Sequence, residues 1–334
     1  MSRLLPLLEP QPSDVQARRP QAHVSLSRVG VTGVEKVIRL RVDDTEQLFY
    51  AELECFVDLN PRQKGAHMSR FEETVNEAID EAVQQGAFKA EALAARIAER
   101  VRERQGGLRA EVTVAARYPQ VKTTPVSGAR TQEIHSLYGA AVSAERGTRR
   151  LVGVQAQGMT ACPCAQELLA ERSRERLGAD GFTDQEIERI LERVPVATHN
   201  QRGLGTLYIG SPEGAEGVVD AQVLLAIVQS SMSAEIYELL KRPDEAEVVE
   251  AAHRRPRFVE DCVREAVKMA VEAFPHLGES AFVMSRQENL ETIHKHNVVA
   301  ERYGLLGELT RELSGGQPAG RHATMREWLE GGSA

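Results

Sequence analysis

The chain has 334 residues, 42% hydrophobic and 27% charged, with 41 Lys and Arg against 49 Asp and Glu for a formal net charge of −8. That balance excludes a largely disordered chain, and it excludes a generic duplex-binding surface, which needs an excess of cations. No run of about 18 apolar residues is present, so neither a membrane nor nucleic acid is expected as a partner. Aromatic residues make up only 4%, and the core is expected to be built from Val, Leu, Ile and Ala. The four cysteines, Cys55, Cys162, Cys164 and Cys262, read as reduced thiols of a cytoplasmic protein rather than as a disulfide framework.

Residues 1–22 hold four prolines and no periodicity and read as an extended N-terminal arm. A first unit, 23–145, opens with strand-like alternation over 37–42 and 48–59, with Phe49, Ala51, Leu53, Cys55 and Val57 on one face. Ser69 is expected to open a helix, with Glu72 completing a capping box and Gly86 ending it. The spacing of Leu93, Ile97 and Val101 predicts a second helix over Ala90–Gln105, stopped by Gly106-Gly107. Strands are expected at 108–116 and 132–142.

A second unit, 146–312, repeats this order. Strands are expected at 150–157 and 204–209, helices at 220–241 and 257–274, and strands at 280–286 and 298–303. Between its first two strands lies a charged helical insertion, about 167–194, with a Thr183–Glu186 capping box and a Cys-Pro-Cys loop at its start. A flexible C-terminal tail, 313–334, includes a short helix near Met325–Leu329. The expected class is α+β, with two tandem β-β-α-α-β-β units and antiparallel sheets carrying paired helices on one face.

Five candidate groups carry residues suited to chemistry. Cys162-Pro163-Cys164 and His199-Asn200-Gln201-Arg202 offer thiolate and imidazole, a ligand set for zinc or iron(II). Two nearby cysteines do not close a structural site, which favours an open catalytic site or no metal. Lys241-Arg242-Pro243-Asp244-Glu245 reads by itself as a charged helix terminus, although a carboxylate is a sensible third ligand. Glu291, His294 and His296 lie within six residues, and imidazoles move protons at neutral pH. Lys64, His67 and Arg70 stand around a predicted helix N-terminus, where amide groups and cations bind phosphate. Glu260 can accept from a purine or pterin N–H edge, or serve as first-turn acid.

Together Lys64-Gly65-Ala66-His67-Met68-Ser69-Arg70, Cys162-Pro163-Cys164, His199-Asn200-Gln201-Arg202, Lys241-Arg242-Pro243-Asp244-Glu245 and Glu291-Thr292-Ile293-His294-Lys295-His296 resemble the type IB GTP cyclohydrolases over roughly residues 13–305. The resemblance implies a tunnelling fold of two β-β-α-α-β-β units, a homotetramer with sites at subunit interfaces, and GTP as substrate. It implies a hydrolase acting on a cyclic amidine: the guanine imidazole ring opens at C8, formate leaves, and 7,8-dihydroneopterin triphosphate forms for folate synthesis. Cys162, His199 and Glu245 would then ligate a divalent metal (zinc, manganese or iron(II)), with Glu291 a conditional fourth ligand. Cys162, Cys164, Glu291 and His294 would be catalytic, and Glu260, Lys64, His67, Arg70 and His296 would bind substrate.

The long stretch between Cys164 and His199, with the Asp14-Val15-Gln16 arm and the 197–203 string, looks more like the archaeal branch. That branch makes the 2′,3′-cyclic phosphate of 7,8-dihydroneopterin and relies on iron(II). From another class, a non-catalytic pterin- or purine-binding oligomer would use the same pocket, and a structural zinc protein would use the same ligands.

Overall fold

Residues 15–42, 45–84, 89–215, 219–318 and 320–331 are described in the computed structural model. Its strands are β1 (Leu26–Val42), β2 (Thr45–Leu59), β3 (Arg109–Thr123), β4 (Arg130–Ala144), β5 (Gly147–Ala161), β6 (Asn200–Ser211), the two-residue β7 (Ala234–Glu235), β8 (Phe282–Leu290) and β9 (Val298–Leu305). Its helices are α1 (Met68–Gln84), α2 (Ala90–Gln105), α3 (Pro163–Ala179), α4 (Asp184–Arg193), α5 (Ala221–Ser231), α6 (Arg242–Arg254), α7 (Val259–Ala273), α8 (Leu306–Leu313) and α9 (Met325–Leu329). All strands join one antiparallel sheet in the order β1-β2-β3-β4-β5-β6-β8-β9, with β7 added to β5.

Alternate residues of the strands face a layer of helices. Leu53, Cys55 and Val57 of β2, Val112 and Val114 of β3, Val152 and Val154 of β5, Leu207 and Ile209 of β6 and Val283 of β8 meet helix residues such as Phe71, Leu93, Ile97, Leu224 and Val263 in one apolar core. Period two in the strands and period 3.6 in the helices both hide one face, and burial of that face drives the assembly. At Gly139 of β4 an added Cβ would lie 2.2 Å from the Ala90 carbonyl carbon, so glycine lets the start of α2 sit directly on the sheet. On the opposite face, Leu151 and Phe282 form a smaller cluster that Trp328 of α9 covers, its ring stacked on Phe282 at 5.6 Å.

This architecture corrects the tandem β-β-α-α-β-β tunnelling fold drawn from the sequence. The second half runs β5, α3, α4, β6, α5, β7, α6, α7, β8, β9: beyond the helices expected between its first strands, a strand and a further helix part its main helices, and all the strands join a single sheet. The halves are fused by the β4–β5 hairpin, whose ladder runs unbroken from Ala144↔Gly147 to Ser136↔Gln155. Three local readings change as well. The helix expected over 220–241 stops at Ser231. The Cys-Pro-Cys loop is the start of a helix, with Cys162 at the N-cap of α3 and Pro163 at its first position, where a missing N–H costs nothing. Met68 already begins α1, and Glu72 pairs with Lys36 instead of capping.

Of the N-terminal arm, 1–14 lie outside the described residues, as does Gly86. The part that follows is tied down: Lys64 donates its backbone N–H to the carbonyls of Gln16 and Arg18, and Gly65 donates to Gln16. Among the described residues no helix is long and apolar enough to cross a membrane.

Candidate active site

The ends of β5, β6 and β8 meet at one end of the sheet. Ala161 pairs with Asn200, and the ladder continues one step further, with Cys162 donating its backbone N–H to the His199 carbonyl at 3.1 Å. Thr198 Oγ1 donates to the Cys162 carbonyl at 2.8 Å. On the other side of β6, Arg202 pairs with Leu290, so Glu291 leaves β8 beside His199, and Thr292 Oγ1 donates to the Asn200 carbonyl at 3.0 Å. The strand pairing therefore brings Cys162, His199 and Glu291 together from sequence positions 37 and 92 residues apart.

His199 Nδ1 stands 3.9 Å from Glu291 Oε2, and the Glu291 side chain is only 6% exposed. Both atoms are buried without a hydrogen-bond partner. Thr160 Oγ1 and Gln201 Oε1, cross-strand neighbours one step further along the same ladder, are buried and unpartnered too. Four of the seven such atoms among the described residues thus stand at one place, where native interiors leave few polar groups unsatisfied. The His294 ring lies edge-on to His199 at 6.4 Å and stacks on His296 at 5.3 Å. That segment bends, and the two imidazoles lie side by side on it.

Sequence reasoning left the buried amides without a role. Gln287 and Asn289 are both 2% exposed, and Gln287 Nε2 donates to Asn289 Oδ1 at 3.1 Å. They line the helix-facing side of β8 leading to Glu291. Gly203 makes room for them, since a Cβ there would lie 2.4 Å from Gln287 Nε2. The available signal was the period-two row Ser285, Gln287, Asn289, Glu291, a strand whose hidden face turns polar as it nears the site.

The other predicted residues lie on helices or at the opposite end of the sheet. Cys164 is exposed in the first turn of α3. Glu245 is exposed in the first turn of α6, while its neighbour Asp244 is fully buried. Asp244 accepts from the backbone N–H groups of Val126, Ser127 and Lys241 and from Ser127 Oγ. Burial pushes its pKa up, but these hydrogen bonds, led by Ser127, hold it well below the usual carboxylate range. Glu260, exposed in the first turn of α7, lines a separate cavity of about 420 Å³ with Arg302 and Glu312.

Lys64, His67 and Arg70 stand at the far end of the sheet. There β2 ends at Leu59, and Arg70 Nη1 donates to the Arg104 carbonyl. Along β5 that separation is on the order of 40 Å. Among the described residues no three His, Cys, Asp or Glu side chains converge closely enough to hold a metal. The donor types at the strand ends, with two orphaned buried atoms facing each other, nevertheless fit a Cys/His/carboxylate centre.

The architecture and the polar strand ends describe an α+β sheet protein with a Cys/His/Glu site. Residues 13–300 match the family model described as type I GTP cyclohydrolase folE2, and the chain belongs to that family. Among its relatives, GTP cyclohydrolase MptA of Methanococcus aeolicus is 41% identical over 307 residues, covering 90% of this chain and 99% of that one. GTP cyclohydrolase MptA of Methanocaldococcus jannaschii is 41% identical over 306 residues, covering 90% and 97%. The uricase of Arthrobacter globiformis shares the fold at a TM-score of 0.50 and 9% identity, over 90% of this chain and 97% of that one.

Proposed function

We propose that this protein is a metal-dependent GTP cyclohydrolase that opens the guanine imidazole ring at C8, releases formate and recloses the skeleton as a dihydropterin. Its product is 7,8-dihydroneopterin 2′,3′-cyclic phosphate in preference to the triphosphate first expected. Relatives 41% identical over nearly their whole length are archaeal MptA cyclohydrolases, and the long stretch between Cys164 and His199 matches the same branch.

The observation that carries the site is the convergence of four buried, unpartnered polar atoms on Thr160, His199, Gln201 and Glu291. Cys162, His199 and Glu291 would hold a divalent metal (zinc, manganese or iron(II)), with Glu245 as the further carboxylate. When bound, such a metal supplies a polarised water and a Lewis acid for attack at guanine C8. The chain's own groups do the rest. Glu291 and His294 hold and pass protons beside His199 as the ring opens, and Cys164 serves the later proton transfers. Glu260 and His296 hold the pterin or purine edge, and Lys64, His67 and Arg70 face the phosphates.

The two groups stand at opposite ends of one sheet, so a site that uses both is shared between copies in a homo-oligomer, a tetramer in this reading. Reduced Cys162 and Cys164 suit a cytoplasmic location.

The test is incubation of metal-stripped protein with GTP and, in turn, zinc, manganese and iron(II), following formate and the phosphorus content of the pterin. Restored formate release and a pterin retaining one phosphorus are expected. Three retained phosphorus atoms would return the triphosphate reading. GTP binding with no formate under any metal would leave a non-catalytic purine binder. Full formate release by Cys162→Ala or His199→Ala would remove these side chains from the chemistry.

A further inference from the structure

The end of the sheet remote from Cys162 and His199 carries a cavity of about 710 Å³ between the end of α2, the β4–β5 hairpin and α9. Four arginines line it: Arg102, Arg109, Arg146 and Arg149. Arg149 is paired with Glu213 at 2.8 Å, and Arg109 with Glu111 at 2.8 Å and more loosely with Glu330 at 3.9 Å. Arg102 uses its Nε on Ser143 Oγ at 3.2 Å. Among the described residues neither Arg102 nor Arg146 has a carboxylate within ion-pair distance, although the Arg146 charge is felt by Glu213, which Arg149 holds; Glu145 and Arg146 are both exposed at the hairpin turn. Arg109 Nε, in addition, is buried with no hydrogen-bond partner.

We infer that this cavity is a binding site for a small phosphate-bearing molecule of nucleotide size. Guanidinium groups bind phosphate through paired N–H donors, and a volume of this order encloses a ligand of that class. Glu330 is the internal occupant: held by Arg326 at 2.9 Å, its carboxylate reaches the cation that the ligand's phosphate would take. The wall it belongs to, α9, lies beyond residues 13–300 that the family model matches, so the cavity is built partly from a segment outside that match. It is also wired to an optical reporter. The Arg149 guanidinium lies 5.2 Å from the Trp328 ring and donates to the Trp328 carbonyl, and Trp328 is the only tryptophan.

The test titrates sodium pyrophosphate into the full chain, following Trp328 fluorescence and the heat of binding. A saturable change in Trp328 fluorescence is expected, and Arg70→Ala, which removes a cation assigned to the GTP phosphates, should leave it in place. Replacing Arg102 and Arg146 together by Ala should weaken it about tenfold or more, the corresponding double Lys replacement should retain part of the affinity, and Glu330→Gln should tighten it. His199→Ala should leave the response in place. No saturable signal by either readout overturns the inference. So does a change that sodium chloride reproduces at equal ionic strength, or one lost in His199→Ala and kept in the double Ala variant.

Discussion

His135 in β4 is buried, and its ring Nε2 lies 3.1 Å from Gln120 Oε1. Burial, and then the nearby Lys122 and Arg117, depress its pKa from 6.5 to about 4, against the opposing pull of Glu235. Between those two values the unfolded chain binds a proton that the folded chain refuses. Stability therefore rises with pH across the window from 4 to 6.5 and is lost as pH falls through it. Below the window the accumulated loss is roughly 3 kcal/mol. Denaturant midpoints measured from pH 7 to pH 4 should fall less steeply for His135→Gln, which keeps a polar partner for Gln120 and cannot be protonated. Parallel profiles for the two proteins would remove His135 from the acid response. Cys55 and Cys262 show the same physics with thiols: burial pushes both up to about 12, so they stay neutral and unreactive while the exposed Cys164 is open to solvent.

Helix α6 is held at its first turn by Asp244, which binds the loop between β3 and β4. Lys122 of β3 adds an ion pair to Glu235 and lies 4.8 Å from the centre of the Tyr237 ring. Asp244→Asn keeps the shape but places an amide N–H₂ where at least one donor now points, so the clamp should open at its start. A thermal midpoint lower by several degrees is expected. In the proposed enzyme formate release should fall with it, because the adjacent Glu245 loses its mooring, whereas Ser127→Ala removes one of the contacts and should do less. Equal stability for Asp244→Asn would show that the loop and helix are held by other contacts.

Which elements can be read from the chain follows from where their stop signals lie. Helix α2 falls on Ala90–Gln105 as its Leu93, Ile97 and Val101 spacing predicts, because its terminator is local: Gly106 at φ 69° donates its N–H to Arg102 and Glu103 carbonyls. Helix α5 ends early for reasons that are remote. The Ser231 carbonyl accepts from Arg257 Nη1 at 2.7 Å, and Ser233 Oγ accepts from the Ala161 N–H at 3.1 Å. Those partners, from α6–α7 and β5, leave no trace in the periodicity of 220–241. The site divides in the same way. Cys162, His199 and Glu291 stand out as rare residue types in short strings, whereas Thr160 and Gln201 become unusual only once the sheet has buried them.

At the scale of the whole molecule the sheet separates two chemistries. Cys162, His199 and Glu291 sit where β5, β6 and β8 end, and Lys64, His67 and Arg70 sit beyond the opposite end of β2. Strands of this length do not fold back on themselves, so no motion of side chains within one protomer unites the two groups. If both serve one GTP, each site is built from two copies, and variants defective in different groups must complement one another. His199→Ala and Arg70→Ala proteins, each impaired alone, should recover activity when unfolded, mixed in equal amounts and refolded together. With random assortment about one quarter of the sites then carry both native side chains, so formate release near a quarter of the wild-type rate is expected. Activity no greater than the mean of the two separate variants would place Arg70 outside the shared site and leave the phosphates to cations nearer His199.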